Sequence, residues 1–379
     1  MTTILNPVEL LKATPSDSHP VIALSEGSDP RVVAGALAAV EAELANIILI
    51  GPTAEVEAAL EAVGGRVVAS GLSVHDPEIS ELSDEFATAF YELRKHKGID
   101  QEAARKAVKS PLVYAAMLVR CGHANGTVGG AVATTSDVVR TAIQVIGMAP
   151  DAAMVSSFFL MYPPKNAESG RAMLYSDCGL VIDPSATELA AIAGASAQSC
   201  RTLLRSEPKI AMLSFSTMGS ASHAAIDKVT TATAALRAAY PELSVDGEMQ
   251  FDAAFVPSVG ESKAPGSQVA GQANVMIFPN LDAGNIGYKL TQRLGGYAAI
   301  GPVLQGLAQP ANDLSRGCSA EDVTQMIAVT VLQSQRTDDG DKQPGLENLP
   351  NFSQQLRNLS QCSKKNPNRI HHDAPTADH

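Results

Sequence analysis

Strand-like apolar runs alternate with segments of helical period along most of this 379-residue chain, and this alternation limits the possible folds more than any other feature. Residues 21–24 have the composition of a buried strand, residues 31–44 that of an Ala-rich helix, and residues 47–50 that of the next strand. Repeated βαβ units of this kind specify mainly parallel sheets with helices on their faces. The sequence therefore predicts an α/β protein.

The pattern along the chain changes at two places. β-rich runs begin just after residue 150, and the composition becomes polar, with Pro and Asn, after Gln335. We therefore expect a domain boundary near residue 150 and a loosely ordered tail over residues 336–379. The tail contains three histidines, but no fixed scaffold holds them, so we predict no metal site there. These are His371, His372 and His379.

Composition excludes several classes of protein. A net charge of −12 disfavours a nucleic-acid-binding protein, which neutralises phosphates with clustered Lys and Arg. Apolar stretches end well short of the roughly 20 residues that a membrane span needs, and the first residues lack the order of a signal peptide. The five cysteines are an odd, widely spaced set, typical of reduced thiols. We expect a cytoplasmic protein that binds neither nucleic acid nor membrane.

Common catalytic motifs are missing from the sequence. It contains no Walker A motif, and no GxGxxG follows the first strand-like run. HExxH, CxxC and GxSxG are absent as well. ATP and NAD enzymes of those kinds, zinc proteases, dithiol redox proteins and serine hydrolases with that elbow are therefore disfavoured.

A turn of small residues around Arg316 leads into the last predicted helix, which we place at residues 319–335. Amide groups in the first turn of a helix favour an anion, and a guanidinium can contact a phosphoryl group with two parallel hydrogen bonds. Asp322 follows Ser319 at the spacing of a helix-capping pair. The residues alone leave capping and catalysis equally open for Asp322.

Two further arginines and a tyrosine are candidates on sequence grounds. Arg94 lies in a basic cluster before Gly98, where a solvated cation at a helix end is the favoured interpretation. Arg140 is ambiguous, because it lies in a helix that follows hydroxyl side chains able to contact phosphate oxygens. These hydroxyl residues are Thr134, Thr135 and Ser136. Tyr288 lies in a segment of helical period that could line a cleft or pack.

The longest informative block, residues 262–323, resembles the phosphate acetyltransferase (phosphotransacetylase) family. Further matching motifs stand in order upstream, so the resemblance covers residues 15 to 335. They are LSEGSDPRV at 24–32, YELRKHKG at 91–98, GGAVATTSDVVR at 129–140, YSDCGLVIDP at 175–184, LSFSTMGSA at 213–221 and VDGEMQFDAAFVP at 245–257.

The resemblance implies a particular fold. It is a three-layer αβα arrangement like that of the isocitrate and isopropylmalate dehydrogenases, in which two domains flank a cleft. On this basis residues 1–150 and 290–335 form domain I, into which the chain returns at its end, and residues 151–289 form domain II. Relatives are commonly homodimers, so a homodimer is expected here.

The resemblance also implies an activity, the reversible transfer of an acetyl group between coenzyme A and inorganic phosphate. Acetyl-CoA, phosphate and acetyl phosphate would be the small-molecule partners, with no metal and no prosthetic group. Asp322 would be the general base toward the thiol of coenzyme A, Ser315 would hydrogen-bond near the reacting groups, and Arg316 would hold the acyl phosphate. Substrate contacts are expected from the remaining candidates, Arg94, Arg140, Thr134, Thr135, Ser136 and Tyr288.

Three alternatives to this mechanism stay open on the sequence. Cys318 lies inside the motif and could form an acyl-thioester, although a small packed residue is the favoured interpretation. Phosphate butyryltransferases share many of the motifs, and a non-catalytic module that binds coenzyme A is a third option. Two departures, Met218 and Gln272, stand where relatives have lysine, and both would weaken contacts to coenzyme A phosphates.

Overall fold

The computed structural model describes residues 5–14, 19–64, 70–164 and 170–338. Most of the predicted tail lies outside these ranges, including its three histidines. Residues 336–338 are described and continue the last helix.

Eleven strands occur in the described residues. They are β1 (Val21–Leu24), β2 (Asn46–Ile50), β3 (Leu72–His75), β4 (Gly126–Gly129), β5 (Ser156–Tyr162), β6 (Met173–Ser176), β7 (Lys209–Leu213), β8 (Ser244–Met249), β9 (Val275–Ile277), β10 (Ala298–Gln305) and β11 (Ala311–Asp313).

The same part of the chain forms thirteen α-helices. They are α1 (Pro7–Ala13), α2 (Pro30–Glu41), α3 (Thr53–Ala62), α4 (Ser83–Arg94), α5 (Gln101–Ala107), α6 (Pro111–Arg120), α7 (Thr135–Thr141), α8 (Ala186–Leu204), α9 (Ala224–Ala239), α10 (Phe251–Phe255), α11 (Pro257–Lys263), α12 (Leu281–Arg293) and α13 (Ala320–Asp338). A 3₁₀ turn over Lys95–Lys97 follows α4, and a π-helix over Ala142–Ile146 follows α7.

The first sheet has five parallel strands in the order β11-β4-β1-β2-β3. Its central strand β1 is apolar, and Ile22, Ala23 and Leu24 are fully buried, as a parallel strand covered on both faces requires. The predicted α/β class is confirmed. The predicted strands at residues 21–24 and 47–50 and the helix between them are also present, with the helix ending at Glu41.

The second sheet has six strands in the order β10-β5-β6-β9-β7-β8. Strand β5 runs antiparallel to both of its neighbours, β10 and β6, whereas β6, β9, β7 and β8 are parallel to one another. Strand β5 is buried along its whole length. The sheet is therefore mixed, with its antiparallel strands on the side that carries β10.

The end of the chain contributes to both sheets. Strand β10 pairs with β5 in the second sheet, whereas β11, separated from it by only five residues, pairs with β4 in the first sheet. This pairing differs from the predicted return to domain I at residue 290. The chain passes from one sheet to the other after Gln305, because β10 continues the second sheet at its edge.

Helix α13 packs against α2 of the first sheet and also contacts α8 of the second. A glycine makes the contact with α2 possible. A Cβ atom on Gly35 would lie 2.6 Å from the Cβ of Val323, so a side chain there would force the two helices apart.

Helix α7 begins directly after the first of three hydroxyl residues. Its N-cap is Thr134, whose hydroxyl accepts a hydrogen bond from the backbone N–H of Asp137 at 3.2 Å. The sequence offers three successive hydroxyl residues, and the first of them is the cap.

Within the described ranges, no helix combines the length and the apolar character needed to cross a membrane.

Candidate functional site

A cavity of about 550 Å³ is lined by residues that belong to both sheets. Residues near the carboxyl ends of β4 and β11 supply what we call the polar wall. It consists of Thr134, Thr135, Ser136, Asp313, Ser315 and Arg316. Residues associated with the second sheet supply what we call the aromatic wall. It consists of Phe159, Cys178, Gly179, Asn285, Tyr288, Gly301 and Pro302.

The structure brings six of the nine predicted site residues together at this cavity. Five of them belong to the polar wall, and Tyr288 belongs to the aromatic wall. The three others, Arg94, Arg140 and Asp322, are not among the residues that line the cavity.

The turn that carries Ser315 and Arg316 is held by another arginine, Arg31. Its Nη1 donates to the carbonyl oxygen of Arg316 at 2.7 Å and to that of Cys318 at 3.3 Å. Its Nη2 donates to the carbonyl oxygen of Ala131 at 2.9 Å and to Asp29 at 2.8 Å. Arg31 therefore ties the turn after β11 to the loop after β4.

The guanidinium of Arg316 is available to contact a ligand in the cavity. The residue is exposed, and within the described part of the chain no carboxylate forms an ion pair with it. An exposed guanidinium beside hydroxyl side chains has the donors that an oxyanion needs.

The loop between β4 and α7 is shaped by the carboxylate of Glu26. It accepts hydrogen bonds from the backbone N–H groups of Ala131 at 2.6 Å, Val132 at 3.0 Å and Ala133 at 2.7 Å. Three charge-assisted hydrogen bonds fix this segment immediately before the hydroxyl residues of the polar wall.

Asp313, the last residue of β11, is a buried acid in the polar wall. The hydroxyl of Thr135 donates to its Oδ2 at 2.6 Å, and its Oδ1 has no hydrogen-bond partner among the described residues. Burial, together with the charge of Glu26, raises the pKa of Asp313 to about 7, although the hydrogen bond from Thr135 opposes this rise.

Asp322 forms the capping pair that its spacing allows. Its Oδ2 accepts from the backbone N–H of Ser319 at 2.8 Å and from the Ser319 hydroxyl at 2.9 Å, and its own N–H donates back to that hydroxyl at 3.2 Å. The residue is exposed, and no donor in the described ranges contacts Oδ1. One oxygen is therefore committed to the start of α13 and the other is free to accept a proton.

The two remaining arginines differ in their surroundings. Arg140 forms an exposed ion pair with Asp137 at 2.9 Å, one turn earlier on the same helix. Arg94 ends α4 and is half-buried, and its Nε lacks a hydrogen-bond partner in the part of the chain that the structure describes. The substrate contacts expected of both remain predictions.

Tyr288 stacks on Phe159 in the aromatic wall, with ring centroids 3.9 Å apart and an angle of 15° between the planes. Burial raises the pKa of the Tyr288 hydroxyl, so it stays protonated at neutral pH. Beside it, the amide of Asn285 donates to the carbonyl oxygen of Cys178 at 3.1 Å. This side of the cavity is mainly a surface of rings and backbone.

Cys318 is buried beneath the Arg316 turn, and burial raises the pKa of its thiol. Both facts lower its content of reactive thiolate.

The two departures from the family pattern, Met218 and Gln272, lie away from the cavity. Met218 is exposed in a turn at a positive φ of 48°, and the side chain of Gln272 accepts a hydrogen bond from Lys209, which supplies a positive charge close to the missing one.

Sequence reasoning missed three residues that shape the site, Glu26, Arg31 and Asp313. Each lies inside a motif already recognised, but none was given a role. The signal for Asp313 was an acidic residue two positions before Ser315, inside the block already matched to the family. The signal for the other two was their place in the connection from the first strand to the first turn of the following helix, at the sheet edge where strand-to-helix loops meet.

Comparison with known proteins agrees with the resemblance found in the sequence. The family described as phosphate acetyl/butaryl transferase matches residues 8–331. A phosphate acetyltransferase of Paracoccus denitrificans is 49% identical over 321 residues, which cover 84% of this chain and 95% of that protein. One of Thermoanaerobacterium thermosaccharolyticum is 48% identical over 316 residues, covering 83% and 95%. The crystal structure of a phosphotransacetylase from Streptococcus pyogenes superimposes with a TM-score of 0.81 and 41% identity, covering 87% and 98%.

Proposed function

The chain belongs to the phosphate acetyl/butyryl transferase family, and on this premise we propose that it transfers an acetyl group reversibly between acetyl-CoA and inorganic phosphate. It is an acyltransferase, as its relatives are. The observation that carries the proposal is the cavity in which the hydroxyl segment after β4 and the Arg316 turn meet a wall of aromatic rings. The butyryl and non-catalytic alternatives are not favoured, because the relatives at 48% and 49% identity are phosphate acetyltransferases.

The polar wall supplies the groups that would bind a phosphoryl oxyanion. Arg316 offers a permanent charge with two parallel donors, and the hydroxyls of Thr134, Thr135 and Ser136 lie on the same side of the cavity. Ser315 would hydrogen-bond near the sulfur or the developing charge. Because these groups are held in place before the substrate arrives, they would stabilise charge in the transition state without reorganisation.

The thiol of coenzyme A would lose its proton to Asp322. A free thiol with a pKa near 8.5 is only a few per cent thiolate at neutral pH, so a carboxylate that accepts the proton increases the reactive fraction. The oxygen of Asp322 that Ser319 leaves free is the one suited to this role. Sulfur would then attack the acetyl carbonyl directly, and phosphate would leave toward Arg316.

We propose that this transfer takes place without a metal ion or a prosthetic group. The substrate contacts of Arg94 and Arg140 are likewise part of the proposal. Arg140 would have to exchange Asp137 for a substrate phosphate, whereas the unpartnered Nε of Arg94 already lacks a competing acceptor in the described residues.

A homodimer is part of the proposal. Ile286 and Leu290 on α12 and Leu294, the C-cap directly after it, form a stripe at intervals of four residues, with 58%, 53% and 82% of their surfaces exposed. An apolar stripe of this kind suits contact with the same stripe on a second copy. Sedimentation of the full chain as a dimer, and as a monomer after Leu290→Asp, would support this arrangement.

The proposed compartment is the cytoplasm. The four cysteines among the described residues are free thiols, in keeping with a reducing environment.

The proposed domain division follows the two sheets. Domain I contains the residues up to about 150 and those from β11 onward. Domain II contains the second sheet, including β10.

The direct test is release of coenzyme A from acetyl-CoA by the purified full chain, measured with and without inorganic phosphate. We expect release that depends on phosphate, with acetyl phosphate formed in equal amount. A folded protein that releases no coenzyme A from acetyl-CoA under any phosphate concentration would overturn the proposal.

A further inference from the structure

The carboxyl of Asp313 is deeply buried yet has few donors around it. The residue has 0% of its surface exposed, a single side-chain donor at Oδ2 and no partner at Oδ1 among the described residues. The backbone N–H of Leu314 is close enough to lower the pKa of Asp313, but it donates its hydrogen bond to the carbonyl oxygen of Gly129 at 2.7 Å. The buried Asp177 differs in its donors, because it accepts from the N–H and hydroxyl of Ser157 and from the N–H groups of Gly179 and Leu180. Burial nevertheless raises the pKa of Asp177 as well, although these hydrogen bonds oppose the rise. The surroundings of Asp313 therefore favour its neutral form far more than a well-solvated carboxylate site would.

Little positive charge offsets this burial. Glu26, in the loop after β1, is the titratable group of the described chain whose charge acts on Asp313, and it opposes ionisation. The elements packed against β11, which are β4, β10, α7 and α13, bring no charge that acts on it. Arg316 lies three residues away but forms no ion pair with it.

The hydrogen bond to Thr135 has two possible directions, because a hydroxyl carries a single proton. If Asp313 is ionised, the Thr135 hydroxyl must donate to Oδ2 and can offer the cavity only lone pairs. If Asp313 is protonated, it can donate to Oγ1, and the Thr135 proton is then free to point into the cavity. An oxyanion binds to donors and is repelled by lone pairs.

We propose that Asp313 is a positioning residue whose protonation decides whether Thr135 offers a donor or an acceptor to an oxyanion in the cavity. The inference rests on the proposed function, since it takes the ligand to be a phosphoryl group held between Thr135 and Arg316. The neutral acid favours the bound anion, and the ionised acid opposes it through both the hydrogen bond and its charge. Because the pKa of Asp313 is raised to about 7, the change falls within the neutral range.

Sulfate is the probe for the first experiment. Phosphate itself changes charge near neutral pH, whereas sulfate stays doubly charged, so a pH dependence of sulfate binding reports on the protein. Titration calorimetry of the full chain at constant ionic strength would measure sulfate affinity at pH 6 and pH 8. If only the protonated form binds, a pKa of about 7 predicts that affinity falls about tenfold over this range.

Substitutions assign the pH dependence to the pair. Asp313→Asn is neutral at every pH and can still donate to Thr135, so its sulfate affinity should be nearly independent of pH. Thr135→Val should bind weakly at both pH values, whereas Thr135→Ser keeps the hydroxyl and should keep the tenfold change. Asp227→Asn, on an exposed position of α9, is a matched loss of a carboxylate and should behave as the wild type.

The outcomes separate this inference from the proposed function. A pH dependence unchanged in Asp313→Asn, no change in the wild type, or no sulfate binding by the wild type would each overturn the role of Asp313. If Asp313→Asn does not fold by circular dichroism, the contrast between Thr135→Ser and Thr135→Val decides, and equal pH dependence in both overturns the role. An enzyme active with acetyl-CoA but without the sulfate effect would contradict this inference alone.

Discussion

The two walls of the cavity contain different chemistry because they come from different places in the fold. The polar wall is made by connections that follow strands β4 and β11 of a parallel sheet, where loops carrying hydroxyls, an acid and an arginine meet. The aromatic wall is made mostly by side chains and backbone of β5, β10 and α12, which are regular elements of the second sheet and its cover, with Cys178 and Gly179 added from the loop after β6. We therefore expect the charged end of the proposed substrate at the polar wall and its acyl group at the aromatic wall.

Removing the guanidinium of the polar wall should have the largest effect. Arg316→Gln is expected to lower kcat/KM for acetyl phosphate by about 10² to 10³, the cost of losing a preorganised donor in a transition state. Steady-state rates measured in the direction of acetyl-CoA formation would test this. Arg105→Gln, an exposed position on α5, is the matched control. A loss of less than about threefold in Arg316→Gln would contradict the role of the polar wall.

The substitution Asp322→Asn tests whether a carboxylate at the start of α13, which does not line the cavity, takes part in the reaction. We expect kcat to fall by about 10² if this carboxylate accepts the thiol proton. Ser319→Ala is the control, because it removes the capping partner and keeps the acid. It should lower stability by about 1 kcal/mol and change kcat little. Equal losses of rate in the two variants would assign Asp322 to capping alone.

The aromatic wall should affect the choice of acyl group more than the rate with acetyl-CoA. Tyr288→Ala removes the ring that stacks on Phe159 and opens space, so the ratio of kcat/KM for butyryl-CoA to that for acetyl-CoA should rise about tenfold. Tyr288→Phe keeps the stack and should keep the ratio. If both variants retain the wild-type ratio, the wall does not limit acyl length.

Cys318→Ala should have the smallest effect, within about twofold of wild-type kcat, because a buried thiol with a raised pKa is a poor nucleophile. Rates measured with saturating substrates, after circular dichroism has shown an intact fold, would check this. A loss as large as that of Arg316→Gln would support the covalent route instead.

The sequence predicted the strands at residues 21–24 and 47–50 and the helix between them, because both strands are short apolar runs between turn residues. It does not indicate β11, whose residues are Ala311, Asn312 and Asp313. Strand β10 was not predicted, because Gly301-Pro302 interrupts its apolar stretch and is typical of a turn. In the structure the pairing with β5 shifts register between Ile300 and Val303, and the strand continues beyond the break.

The site shows the same division. Arg316 and Ser315 could be predicted because their motif is local in sequence. The character of Asp313 could not, since its burial depends on β4, which lies far away in the chain, and its lack of donors depends on the tertiary packing. The stacking of Tyr288 on Phe159, 129 positions apart in sequence, is equally invisible before the two sheets are assembled.

The passage of the chain from β10 to β11 has a consequence for biosynthesis. Strand β11 and helix α13 complete the first sheet and cover α2, yet they are the last described segments to leave the ribosome. Until then, β4 lacks a neighbour on one side, while every strand of the second sheet is already made. We therefore expect the first sheet, although its synthesis begins first, to finish folding after the second sheet. A nascent chain stopped near residue 306 should expose the edge of β4 to chaperones.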